Sequence, residues 1–203
     1  MHGFSDEERE RIREQLIETG RELLLTYGPG KTTVSDITEP IGIAKSTFYR
    51  FFDSKSALYL QIFRREMEEF GETVQQELAT VDDPREGLER LFRCYAEFAE
   101  ENQLVQQTVI QGNYQETFRS VDPEKLETVQ QEGPAELLPL IEDLRARSNG
   151  PLAEVDPITV LGLMGGSVGL MALHRDEFDE YESGYYKQVQ DVLITSLARG
   201  LTE

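Results

Sequence analysis

Apolar residues recur along the chain at spacings of three and four, and no segment sustains the period-two alternation of a half-buried strand, so every element is expected to be a helix. Ser5-Asp6-Glu7-Glu8 has the form of a capping box, with serine at the cap and glutamate three residues on. Behind it Ile12, Leu16, Leu23 and Tyr27 fall on one face of a helix that Gly28-Pro29-Gly30 ends. Thr33-Val34-Ser35-Asp36 is a second box and opens a short helix to about Ile41, where Gly42 breaks it. A third helix is expected over 44–52, and Asp53 or Ser54 caps a fourth that runs to about Leu78. After a loop at 80–83, further helices are expected at about 84–101, 103–112, 122–147 (continuous, or broken at Gly133-Pro134), 155–175 and 184–201. The pattern predicts an all-α protein of about nine helices.

Two short helices joined by a glycine turn, with a long helix before and after, are the ingredients of a helix–turn–helix. Ile37, Ile41, Ile43 and Phe48 suit the space between the short helices, with Phe52 closing the packing, because Phe48 and Phe52 are four apart and share a face. That leaves Lys45, Ser46, Thr47, Tyr49 and Arg50 on the outer face. Polar residues at the start of such a helix reach base edges when it lies in a major groove. Serine and threonine bond several bases, the Thr47 methyl matches a thymine methyl, and Lys45 or Arg50 suits guanine. Thr33 caps a helix whose free amides and positive dipole end suit a phosphate, and Tyr49 and Lys55 suit phosphates as well. The plainer readings are a solvated basic face and, for Tyr49, a core aromatic beside Phe48 and Phe51.

Charge sharpens the picture. The 203 residues hold 20 Lys and Arg against 39 Asp and Glu, a net charge of −19. Residues 1–60 contribute 8 basic and 10 acidic side chains, and residues 61–203 contribute 12 and 29, so the balances are −2 and −17. Only five residues are lysine, and three of them (Lys31, Lys45, Lys55) lie within 31–55. An acidic body with scarce lysine is the composition of a protein that works in a very salty cytosol; the alternative is a merely soluble acidic protein. A basic, aromatic stretch retained against that background argues for a polyanion partner there.

The stretch TTVSDITEPIGIAKSTFYRFFDSKSALYLQIF, residues 32–63, resembles the DNA-binding module of the TetR family of one-component transcriptional regulators. The glycine turn, the Thr-Phe-Tyr step and the phenylalanine followed two residues later by Ser-Lys carry the resemblance, which is sharp over 6–63 and architectural beyond. It implies a cytoplasmic homodimer with an N-terminal DNA-binding domain at 1–58, a linking helix to about 78, and a ligand-binding and dimerisation domain at 59–203. It implies double-stranded operator DNA and a small-molecule effector as partners, and a repressor released from a palindromic operator. The alternative is a non-enzymatic dimeric adaptor of the same fold that binds a protein. The sequence departs from the family pattern at Ala44, where serine is usual and a cap worth about 1 kcal/mol is lost, at Pro40-Ile41, and at Phe51.

Beyond the module, Leu88, Leu91, Phe92, Tyr95 and Phe98 stripe one helix. Most of this stripe reads as core; Tyr95, Phe98, Tyr114, Phe118 and Met164 are candidates for lining an apolar ligand cavity. Gly162, Gly165, Gly166 and Gly169 in LGLMGGSVGLMAL cost helix propensity, about 1 kcal/mol each relative to alanine, which suggests close approach by another helix. With Val189, Leu193 and Leu197 of the last helix, Gly162, Gly166 and Gly169 are expected to build a four-helix bundle across a two-fold axis; the alternative is that they line a pocket or bend the helix within one subunit. Cys94 reads as a small buried hydrophobe, its lack of a partner fits a reducing cytosol, and His174 reads as a cap or surface group. The N-terminus lacks an apolar segment, and the uncharged run 157–173 is shorter than the ~20 apolar residues of a membrane span, so neither a signal peptide nor a membrane anchor is expected. No phosphate loop, metal-ligand spacing or nucleophile–base pair is visible, so a protein without catalysis, cofactor or metal is expected.

Overall fold

The computed structural model describes residues 5–106, 108, 117–118, 121–124, 126–127 and 136–203, and every regular element among them is helical, with no strand. Helix α1 (Asp6–Tyr27) starts at Ser5, whose hydroxyl accepts the Glu8 N–H at 3.2 Å, and ends at Gly28 with φ 75°. Its buried stripe is Ile12, Leu16, Ile17, Gly20 and Leu24. The expected stripe ran instead through Leu23, which is half-buried, and Tyr27, which is 56% exposed. Gly20 hid the true phase: it shows no side chain to a hydrophobicity count, yet a Cβ there would lie 3.0 Å from Leu58 and 3.1 Å from Ile62. Its bareness is what lets α4 approach α1.

Helix α2 (Val34–Ile41) opens on the expected reciprocal cap, with Thr33 N–H donating to Asp36 Oδ2 at 2.8 Å and Asp36 N–H to Thr33 Oγ1 at 3.3 Å. It closes as a Schellman motif around Gly42, at φ 76°. Gly42 N–H bonds Glu39 O at 3.1 Å and Ile43 N–H reaches back to Thr38 O at 3.2 Å. Pro40 lies in this last turn and lacks the N–H that would otherwise donate to Asp36 O, so the helix carries one backbone bond fewer just before it ends. Helix α3 is shorter than expected, with α geometry confined to Lys45–Phe48. Beyond it Arg50 N–H to Thr47 O (3.0 Å) and Phe51 N–H to Phe48 O (2.9 Å) continue the coil to Phe52 as tight three-residue turns. Ala44 caps nothing, and threonine and aromatic residues are weak helix formers, so packing rather than propensity shapes this segment. Ser54 caps α4 (Lys55–Leu78), its hydroxyl accepting Ala57 N–H at 3.1 Å.

Helix α5 (Pro84–Glu101) starts on the Asp83 carboxylate, which accepts the N–H groups of Arg85 and Glu86. It is followed by a single turn, α6 (Gln103–Val105). Of the helix expected at 103–112, residues 107 and 109–112 lie outside the described residues, as does the break weighed at Gly133-Pro134; α7 (Leu138–Arg147) is the described end of the expected 122–147 helix. A 3-10 turn (Pro151–Glu154) follows. The single helix expected at 155–175 is instead three pieces: α8 (Pro157–Leu163), a π-helical stretch (Met164–Gly169) and α9 (Leu170–Leu173). Glycines at 165, 166 and 169 provide the freedom for that wider coil. Helix α10 (Arg175–Asp179) was not expected, and α11 (Tyr185–Thr202) was.

The chain forms two compact units, Met1–Glu66 with Gln103–Val129, and Met67–Asn102 with Gln130–Glu203. This division and the expected one after residue 58 both cut α4. Leu16, Ile17, Leu24, Ile37, Phe48, Leu58, Tyr59 and Ile62 centre the first unit. The core of the second joins Phe70 and Val74 of α4 to Leu88, Leu91 and Phe92 of α5, Ile141 and Leu144 of α7, Val168, and Ile194 and Ala198 of α11. Among the described residues, no helix is long and apolar enough to cross a membrane.

Candidate functional site

Phe48 is wholly buried and Phe52 is 6% exposed, their rings 5.7 Å apart. These two anchors fix which way the intervening backbone faces. Lys45, Ser46, Tyr49 and Arg50 are exposed, and Thr47 is half-buried. Tyr49 is 51% exposed and meets the Phe48 ring edge-on at 5.3 Å, so it stands outward as its spacing predicted. Thr33 is exposed at the α2 N-terminus.

The expected outer-face residues 45, 46, 47, 49 and 50 thus share one short segment, while Lys55 does something different. Its ammonium donates to Thr32 O at 2.7 Å and Pro29 O at 3.1 Å, and lies 5.3 Å over the Tyr59 ring. Two arginines of α1 that the charge pattern did not single out support the segment from behind. The Arg9 guanidinium lies 5.7 Å from the centre of the Phe51 ring, and Arg13 lies 5.3 Å from that of Phe52. Their i, i+4 spacing opposite two phenylalanines was the available signal. Ion pairs tie α1 to α4: Arg65 bonds both Glu14 carboxylate oxygens at 2.8 Å, and Arg21 pairs with Glu66, which is 4% exposed. The Arg65 hydrogen bond first, against a smaller cost of burial, holds the Glu14 carboxyl below its usual range.

Of the cavity candidates, Tyr95 and Met164 are buried in the second unit's core, with Phe98 half-buried against it. Phe98 stacks on Phe70 at 4.4 Å, and Tyr95 lies 6.1 Å from the same ring. Phe118 is buried in the first unit, 5.9 Å from Phe63. Tyr114 lies outside the described residues. The glycines expected at a subunit interface divide into two kinds. A Cβ on Gly169 would lie 2.9 Å from Tyr95 Oη, so this glycine serves packing within the subunit. Gly162 and Gly166 are exposed and face open space. Ile158, 66% exposed, and Leu170, 45% exposed, extend their series at intervals of four, and on α11 Val192 is 67% exposed. Val192 belongs to the apolar cluster that the sequence places on the last helix with Val189, Leu193, Ile194 and Leu197, whereas Ile158 and Leu170 were not among the expected interface residues. Val189, Leu193 and Leu197 are half-buried, the two leucines packing on the core.

At the end of α5 the Glu100 carboxylate accepts hydrogen bonds from Tyr186 Oη and Gln190 Nε2, each at 2.8 Å, and from Lys187 Nζ at 3.1 Å. Burial alone would raise its pKa, but those hydrogen bonds and the Lys187 charge outweigh it and hold the carboxyl below its ordinary range.

Residues 16–62 match the family of bacterial regulatory proteins described as the tetR family. The HTH-type transcriptional activator FasR of Mycolicibacterium smegmatis is 26% identical over 106 residues, which are 52% of this chain and 48% of FasR, so the likeness spans about half the length of that relative. Among solved structures, a TetR-family transcriptional regulator of Pectobacterium atrosepticum superposes with a TM-score of 0.69 at 24% identity, covering 98% of this chain and 97% of that one. FadR of Bacillus subtilis, solved in complex with stearoyl-CoA, superposes with a TM-score of 0.65 at 15% identity, covering 92% and 98%.

Proposed function

We propose that this chain, which belongs to the tetR family of bacterial regulatory proteins through its residues 16–62, is a homodimeric transcriptional repressor released from a palindromic operator by a small molecule. The observation that carries the reading is the exposed row Lys45, Ser46, Tyr49 and Arg50 on a segment pinned by Phe48 and Phe52. A segment so anchored presents a fixed polar edge to a major groove. Ser46, Thr47 and Arg50 read base edges, and Lys45 and Tyr49 hold the phosphates, with Thr33 and the α2 N-terminus on a neighbouring phosphate.

A palindrome is read by two copies whose segments are held ~34–36 Å apart, or a multiple of that distance. The face formed by Gly162 and Gly166 with Ile158, Leu170 and Val192 supports the dimer, because exposed apolar residues and bare backbone suit helix-on-helix contact. Val189, Leu193 and Leu197 form its flank on α11. Tyr95, Phe98 and Met164 are the proposed ligand-sensing residues of the second unit, and Phe118 that of the first. The stearoyl-CoA bound by FadR makes a long apolar effector a reasonable first trial. The charge of −19 supports function in a cytosol of high salt.

The test is a gel shift on the gene's own upstream DNA. Lys45→Ala and Tyr49→Ala should each lose binding by about ten-fold or more, the size of a good contact, with melting temperature and mass unchanged. Comparable affinity in wild type and both variants would place the DNA-binding surface elsewhere. A second reading, activation in place of repression, is favoured by the likeness to the activator FasR. Both readings need operator binding, and a promoter–reporter fusion with and without the protein separates them.

A further inference from the structure

We propose that Lys55 governs DNA binding as a positioning residue: with Tyr59 it clamps the turn between α1 and α2, and so sets where the α2 N-terminus stands, rather than meeting a phosphate itself. The proposal rests on the operator-binding reading above.

Lys55 and Tyr59 lie one turn apart on α4, and both polar tips converge on the same two carbonyls. The ammonium is 2.7 Å from Thr32 O and 3.1 Å from Pro29 O; the Tyr59 hydroxyl is 3.3 Å and 3.4 Å from them. An ammonium has three N–H donors, and these two distances commit two of them in charge-assisted bonds. The Tyr59 ring under the ammonium holds the charge in place, and Tyr59 itself is 1% exposed. Gly28, Pro29 and Thr32 are buried, both carbonyls lie outside α1 and α2, and the single Tyr59 O–H proton cannot serve both, so turning Lys55 outward to a phosphate would strip this buried turn of its charged donor.

The turn leads straight into the candidate interface. Thr32 precedes Thr33, whose hydroxyl and N–H make the reciprocal cap with Asp36. Whatever holds Thr32 therefore holds the first amides of α2. Lys55's charge also adds to the Thr33 hydrogen bonds that keep the Asp36 carboxyl below its usual range. Thr32 is fixed from the other side by its own hydroxyl, which donates to Gly28 O at 3.1 Å. The arrangement is a two-sided grip on one residue, with α4 supplying one side.

A phosphate contact and a clamp differ in their response to salt. Neutralising one phosphate contributes ~0.9 to the slope of log affinity against log salt, whereas a group that only positions others contributes none. The experiment measures affinity for the upstream DNA by fluorescence anisotropy across a KCl series, for wild type, Lys55→Met, Tyr59→Phe and the double variant. Lys55→Met should weaken binding about ten-fold, the size of a hydrogen bond to a charged group, with the wild-type slope. Tyr59→Phe should weaken it less, again at the wild-type slope, and the double variant should fall short of the product of the two losses. In the free protein, hydrogen exchange at the Thr33 and Asp36 amides should quicken in both single variants. A slope differing from wild type by about one, or undiminished affinity in Lys55→Met, overturns the proposal. Should Lys55→Met fail to fold, Tyr59→Phe decides: unchanged affinity and unchanged exchange overturn the clamp, and loss at constant slope upholds it. If wild type binds no upstream DNA, the operator reading fails, while the exchange data still test the clamp.

Discussion

Gly169→Ala puts a single methyl group against a buried ring, and the outcome can be worked from the geometry. The new Cβ would sit 2.9 Å from Tyr95 Oη, 3.2 Å from Cε1 and 3.5 Å from Cζ. A contact below 3.0 Å forces a shift, and Tyr95 has little room to make one: it is 6% exposed and lies 6.1 Å from the Phe70 ring. Overpacking of this kind costs about 1–3 kcal/mol, and the gain in helix propensity returns about 1 kcal/mol. The net expectation is a loss of up to about 2 kcal/mol, or up to about 8 °C in melting temperature for a chain of this size. Adding Tyr95→Phe removes the atom at 2.9 Å and should restore part of that loss. Gly166→Leu is the contrasting variant, because a Cβ there meets nothing within 4 Å. It should keep the helical circular dichroism of wild type but sediment as a monomer and lose operator binding. A Gly169→Ala protein that melts above wild type, or one whose melt Tyr95→Phe does not raise, refutes the packing argument. A stable Gly166→Leu dimer moves the subunit interface away from α8 and the π-helical stretch.

Three further outcomes are expected. Glu100 is held below its ordinary pKa when folded, so its contribution is present above the unfolded value and lost as pH falls through the folded one. Denaturant titrations should therefore show stability falling below about pH 4.5, and Glu100→Gln, already weakened at neutral pH, should show a shallower fall. Burial first, then the charges of Glu77 and Glu97, push the Cys94 thiol up to about 11. Iodoacetamide should then alkylate it at pH 8 about two orders of magnitude more slowly than a free cysteine, with a rate still climbing at pH 10; a plateau near pH 9 refutes this. Screening shortens the reach of the acidic body from ~30 Å at 0.01 M salt to ~3 Å at 1 M, so melting temperature and operator affinity should hold or rise from 0.1 M to 3 M KCl. A steady fall in both removes the high-salt reading.

The caps and turns were the most legible features. Ser5, Thr33, Gly42 and Ser54 each mark a boundary the structure keeps within a residue, because a cap is a local hydrogen bond between near neighbours in sequence. Phe48 and Phe52 were legible as anchors for the same local reason. What escaped was set by distant partners. The buried phase of α1 depends on Leu58 and Ile62 meeting Gly20, and glycine leaves no mark in a hydrophobic pattern. The clamp by Lys55 joins residues 26 and 23 positions apart, and lysine in a basic stretch reads as a surface charge until its carbonyl partners are seen. Gly162, Gly166 and Gly169 looked alike as a stripe, but only the Tyr95 ring separates the one that packs inward from the two that face out. The extent of α3 was misjudged because the local pattern gives the period of a coil and not its width.

The division of labour along 44–52 has a consequence for how the protein can change over generations. Stability in this segment comes from Phe48 and Phe52, whereas the side chains of Lys45 and Ser46 project into solvent. Surface substitutions away from such anchors usually shift stability by no more than about 0.5 kcal/mol. Drift at Lys45 and Ser46 is therefore almost free of penalty to the scaffold. A gene duplicate could shift its target by altering Ser46, the exposed base-reading letter of the pair, without first accumulating compensating changes beneath it.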